Sequence, residues 1–135
     1  MDENEIGRQV VDAALGKENM FPSIWTGMYA ELPLPEALRM LYACGWQRFE
    51  ISTEHLVSIE TSDDPESLIE ETLLFIQQHR LSTPQAHALL HANVAAMDKQ
   101  KREQDIQRLL YHIEIAARFA VKTLIPAVVA LTGLD

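Results

Sequence analysis

Four short β-prone runs recur along the chain: Phe21 to Gly27, Arg48 to Thr53, Pro84 to Leu90, and Lys122 to Ile125. Between them the apolar period changes from two residues to three or four, the mark of an intervening helix. The order is therefore β-α-β-α-β-α-β, with strand starts near 22, 48, 84 and 122. Strands joined through helices must run parallel, with right-handed crossovers. A parallel sheet needs covered faces, which a barrel or a doubly wound sheet supplies. No G-x-G-x-x-G and no G-x-x-x-x-G-K-[ST] follows any of the runs. A nucleotide-binding doubly wound sheet loses weight accordingly.

The helices carry their own punctuation. Pro35 to Cys44 has apolar residues at 34, 37, 38, 41 and 42, a proline suited to the first turn, and Gly45 past the end. Asp64 caps a second helix that has Pro65 in its first turn and buries Leu68, Ile69, Thr72, Leu73 and Ile76. Asp98 to Ala120 is a long helix with Ile106, Leu109, Leu110, Ile113, Ala117 and Ala120 on one face. Residues 1–19 form an amphipathic helical leader, with Ile6, Val10, Val11, Ala14 and Leu15 as its stripe. Residues 20–135 form the main domain. The apolar stretch Ala127 to Leu134 is assigned to no element.

Composition narrows the function. Twenty acidic residues against eleven basic ones give a net charge of -9, which opposes binding to nucleic acid or to anionic membrane. The longest apolar stretch, Thr123 to Leu134, contains Pro126 and is too short to span a bilayer. The single cysteine, Cys44, excludes an internal disulfide and reads as a buried thiol. With no run resembling a secretion signal, the expected location is the cytoplasm.

Four motifs then point to a family. Ser23-Ile24-Trp25-Thr26 precedes a helix that ends in Cys44-Gly45-Trp46. Arg48-Phe49-Glu50-Ile51-Ser52 forms the second strand, and His87-Ala88-Leu89-Leu90-His91-Ala92-Asn93 follows the third. Ile113 to Ile125 leads into the fourth. In this order the chain resembles the first half of the xylose isomerase-like TIM-barrel superfamily, which includes sugar phosphate isomerases and epimerases. The resemblance covers residues 20 to 126. It departs at Ile125-Pro126-Ala127, where the family often has a histidine before the proline. It also stops at the fourth strand, whereas a complete barrel has eight strands in about 250 residues. The fold class expected is α/β, a parallel (β/α) half-barrel of about four strands with an N-terminal helix.

Active sites of such barrels lie at the carboxyl ends of the strands. There the sequence offers Glu50 and His87 as catalytic candidates, and Trp25, Thr26, Ser52, Glu54, His91 and Asn93 as substrate-binding ones. An aromatic face stacks on a sugar ring, and carboxylates and imidazoles bond its hydroxyls. Glu50 is read as a base or a partner for a sugar hydroxyl, with pairing to Arg48 or another base as the alternative. Glu54 and His55 are expected in a solvated loop after the second strand. His87 could contact substrate, ligate a metal, or be satisfied within the barrel mouth. Eight acids and no Lys or Arg lie between residues 49 and 79, and read as solvated helix faces. Lys99, Lys101 and Arg102 read as a solvated helix start.

The resemblance implies a sugar or sugar-phosphate isomerase or epimerase, with proton transfer next to a carbonyl and a divalent metal (Mn, Mg, Co or Zn). Most of the family's metal ligands would come from strands five to eight, so the chain alone is expected to be inactive. The alternative is a non-catalytic half-barrel that pairs with another half. An apurinic endonuclease is the least favoured, because of the charge. Ile24, Phe49 or Ile51, and Leu124 or Ile125 are expected to face the barrel interior without partners. With open strand edges, this predicts a homo-oligomer or a partner half-barrel.

Overall fold

The computed structural model describes residues 21–125. The leader at 1–19 and the stretch Ala127 to Leu134 lie outside the described residues. Nine elements follow in chain order. β1 is Ile24–Trp25, followed by a 3-10 turn at Thr26–Tyr29, and α1 is Leu34–Ala43. β2 is Arg48–Ile51, α2 is Thr53–Glu60 and α3 is Pro65–His79. β3 is Ser82–His87, α4 is Lys99–Arg118 and β4 is Thr123–Ile125.

The strands form one sheet in the order β1-β2-β3-β4, every pair parallel. The chain thus winds in one direction without reversing, which is the topology of a half-barrel and not of a doubly wound sheet. Register places Trp25 beside Glu50, Glu50 beside Gln85, and His87 beside Ile125.

Alternation along the strands decides which face is covered. Phe49, Ile51 and Ala86 are fully buried in one cluster with Leu34, Leu38 and Leu41 of α1, Leu56 and Ile59 of α2, Ile69 and Phe75 of α3, and Ile115 of α4. Ile24 and Leu124 pack against the same cluster. The helices therefore cover the face that carries Phe49 and Ile51. The other face presents Trp25, Arg48, Glu50, Gln85, His87, Thr123 and Ile125, by their positions in the ladder. This corrects the expectation that Ile24 and Phe49 or Ile51 point into the barrel; of the alternatives Leu124 and Ile125, Ile125 is the one on the uncovered face. The apolar residues went to the helix layer, where each contact replaces water. The uncovered face kept the polar alternates.

The helix signals act where expected. Proline stands in the first turn of α1 and of α3. Asp64 Oδ1 accepts from the Ser67 N–H at 3.1 Å, and Asp98 Oδ1 accepts from Gln100 N and Lys101 N. Gly45, with φ 94°, takes the left-handed position after α1. Cys44, read as buried, is exposed there, because the helix ends one residue earlier than expected.

Two elements differ from the sequence reading. Thr53–Glu60, expected to begin as a loop, is helix α2, capped by the Ser52 side chain. In α4 the buried residues are Asp105, His112, Ile115 and Ala116. Ile106, Leu110 and Ile113 point outward, 36%, 47% and 49% exposed. The most apolar stripe of this helix is not the one that meets the core.

Candidate functional site

At the carboxyl ends of the strands an open cleft of about 350 Å³ is lined by Trp25, Glu50, Thr53, Glu54, His87 and Leu90. Glu50 and His87 come from neighbouring strands on the uncovered face, and the His87 Nε2 bonds the Glu50 carboxylate. An ionised carboxylate can only accept, so Nε2 is the donor of this bond. The pair is half-buried: the side chains are 29% and 20% exposed. Its backbone is held from α2, whose first residue, Thr53, donates from Oγ1 to the Ala88 carbonyl at 2.6 Å and to that of His87 at 3.3 Å.

Trp25 gives the cleft an exposed aromatic wall, with 45% of its surface in solvent. Its place depends on Gly27, because a Cβ there would run into the six-membered ring of the indole. The absent side chain is what lets the indole lie back over the turn. Glu54 stands in the first turn of α2. It lines the cleft from a helix, where a loop was expected.

The other candidates do different work. Thr26 and Ser52 are fully buried and join His55, also fully buried. The Ser52 N–H donates to Thr26 Oγ1 at 2.9 Å. Thr26 Oγ1 and Ser52 Oγ lie 2.9 and 3.1 Å from His55 Nδ1. His55 Nε2 faces the carbonyls of Tyr29 at 3.3 Å and Leu32 at 3.2 Å. Carbonyls only accept, so Nε2 is the protonated nitrogen and Nδ1 takes the hydroxyl hydrogens. Burial pushes the His55 pKa below its usual value, against the carbonyls of Leu32 and Tyr29, which raise it. This knot joins the ends of β1 and β2 beneath the cleft. The reading of His55 as a solvated loop residue is thereby corrected.

His91 is exposed and does not line the cleft. Asn93 shapes the loop after β3: its N–H donates to Asp105 Oδ2 at 2.7 Å and its side-chain oxygen accepts from Ala95 N at 3.1 Å. Lys101 completes this clamp, with Nζ 2.6 Å from both Asp105 oxygens. The Lys101 ammonium, and then the Asn93 N–H, hold the Asp105 carboxyl below the usual range.

Sequence reasoning missed one partly buried cluster. Arg108 of α4 grips Glu60 of α2 with Nε at 2.6 Å and Nη2 at 2.7 Å, and the buried His112 Nε2 lies 3.1 Å from the same carboxylate. The Arg108 guanidinium holds the Glu60 carboxyl below its usual value. The charges are 48 residues apart in sequence, so no local pattern announces the pairing. This cluster joins helix to helix and lies away from the cleft lining.

A divalent cation would need donors beyond those of the cleft. Among the described residues no group of three or more His, Cys, Asp and Glu side chains is placed to hold a metal ion. Glu54 lines the same cleft but does not form one metal-holding group with Glu50 and His87, and these two already bond each other. The residues present do not fit the metal that the resemblance implies. Among the described residues no helix is long and apolar enough to cross a membrane. Comparison of the chain with family models, curated proteins and solved structures gives no match.

Proposed function

We propose that the chain carries one half of a sugar or sugar-phosphate site of the isomerase or epimerase type. The observation that supports this reading is the Glu50–His87 pair set beside the exposed Trp25 at the carboxyl ends of parallel strands. An aromatic face and convergent polar groups suit a ring that is apolar on one side and hydroxylated at its rim. In this reading His87 Nδ1 takes the proton, and Glu50 orients the ring and stabilises the imidazolium that results. The chemistry that fits is removal of a proton next to a carbonyl.

The four described strands supply that pair and little else. Oxyanion stabilisation, for which the resembled family uses a metal, has no donor set among the cleft residues. The chain therefore binds a monosaccharide or its phosphate without turning it over. A single cysteine and an acidic surface suit a reducing cytoplasm as the place of action.

The test is proton NMR of an aldose and ketose panel, free and phosphorylated, in D2O with the purified full chain, with and without added Mg, Mn, Co or Zn. Saturation transfer from protein to at least one sugar, with no exchange of carbon-bound hydrogen, is the expected result. Exchange that disappears in His87→Ala would show a complete active site and overturn the half-site reading. No transfer to any sugar would remove the sugar reading itself.

A further inference from the structure

Ten large hydrophobic side chains are exposed among the described residues, and nine of them belong to the first and last units of the layer. Phe21 precedes β1, and Trp25, Met28 and Met40 belong to β1, the turn after it and α1. Val94, Met97, Ile106, Leu110 and Ile113 belong to the β3–α4 loop and α4. The tenth, Leu74, is on α3 between them. Among the described residues these outer units also carry the unpaired strand edges, β1 on one side and β4 on the other. An open edge with apolar surface beside it marks a contact surface.

We infer that a second copy of this chain occupies both flanks, with β4 and α4 of each copy meeting β1 and α1 of the other. Strand direction selects this arrangement. All four strands are parallel, so β4 continues the parallel sheet only against a β1 edge. Two such seams related by a two-fold axis close an eight-stranded ring, the strand number at which a parallel α/β barrel shuts. The area is sufficient. A half-exposed side chain of this size leaves on the order of 100 Å² in solvent. Covering eight on each copy, with Trp25 left to the cleft, removes on the order of 1,600 Å², within the range of stable protein interfaces. Closure also gathers two Glu50–His87 pairs into one mouth, because both lie on the uncovered sheet face. The inference rests on edges and flanks, and it holds whatever the cleft binds.

The experiment is light scattering on the full chain at micromolar concentration, with small-angle X-ray scattering on the same sample. The expected mass is twice 15.3 kDa, with a radius of gyration of about 18 Å for two chains in one compact body. Leu110→Glu on α4 and Met40→Lys on α1 each change an exposed side chain, and circular dichroism checks that both variants fold. Each alone is expected to weaken the dimer about tenfold or more, the cost of placing an unpaired charge in an apolar seam. An equimolar mixture should restore it, because one seam is then unaltered and the other pairs opposite charges. A wild-type monomer would mean that the chain's own terminal segments cover the flanks, and would overturn the inference. Dissociation by Leu110→Glu but not by Met40→Lys would show a symmetric α4 contact and overturn closure. Mass that grows with concentration would show an open chain of copies, which also overturns it.

Discussion

The polar atoms of the His55 ring are taken up inside the fold, while His87 lines a cleft. The two residues differ in what surrounds them, and little of either surrounding is local in sequence: Glu50 lies 37 residues from His87. Ser52 lies three residues before His55, but Thr26, Tyr29 and Leu32 lie 23 to 29 residues away. That is why His55 reads as a loop residue until the fold is seen. The account predicts that His55→Leu lowers stability by on the order of 2–3 kcal/mol, because two buried hydroxyls and two carbonyls lose their partner. Urea denaturation at neutral pH measures this. The pH dependence follows from the same burial. The unfolded chain protonates this histidine near pH 6.5 and the folded chain resists, so its contribution is complete above about 6.5 and falls away as pH drops. The loss approaches at most about 1.4 kcal/mol per pH unit. The fall in urea midpoint between pH 7.5 and 5.5 should be smaller in His55→Gln than in wild type. At Gly27 the prediction concerns shape. Gly27→Ala should push the Trp25 indole from its place, changing tryptophan emission and weakening sugar binding while leaving the urea midpoint near wild type. Unchanged emission would show that Gly27 does not set the ring.

At the scale of elements, caps and prolines were legible because they act within one turn. Pro35, Gly45, Asp64 and Pro65 all bracket helices where the sequence placed them. Faces were legible only where a single stripe is apolar. In α1 the stripe at 34, 37, 38 and 41 is the buried one. In α4 two stripes compete. The buried side carries Asp105 and His112, which clamp the β3–α4 loop and meet Glu60, whereas the apolar stripe faces out. Tertiary pairing decided the rotation of this helix, and hydrophobicity alone misjudged it. Of the acids read as solvated faces, Glu66 and Glu71 are exposed and pair at the surface with Arg118 and Arg39, whereas Glu60 is largely covered and takes Arg108 from α4. Helix ends offer a clean test. Ala120 after α4 sits at φ 57°, in the left-handed region, where a Cβ costs roughly 1 kcal/mol. Ala120→Gly should therefore raise stability by about 0.5–1 kcal/mol in urea titrations. A loss would mean that the alanine methyl contributes packing that outweighs the strain.

At the scale of the whole molecule, the unit spacing of the strands predicted the parallel sheet, and the structure has it. Which face the helices cover was not legible, since alternation defines two faces and names neither. The answer matters for function, because it turns Glu50 and His87 away from the helix layer and into the same cleft as Trp25. Of the proposed site, Trp25, Glu50, Glu54 and His87 gather there, whereas Thr26, Ser52, His91 and Asn93 serve the scaffold or the surface. The central claim is that this cleft is a sugar half-site built on Glu50, His87 and Trp25. The most direct measurement is a fluorescence titration with sugars and sugar phosphates in a Trp46→Phe background, where Trp25 is the remaining tryptophan. The account predicts a saturable change in Trp25 emission. In Glu50→Gln and in His87→Ala the affinity should fall about tenfold or more, as expected when a buried polar contact to ligand is lost. No response to any sugar, or a response that both substitutions leave unchanged, would contradict it.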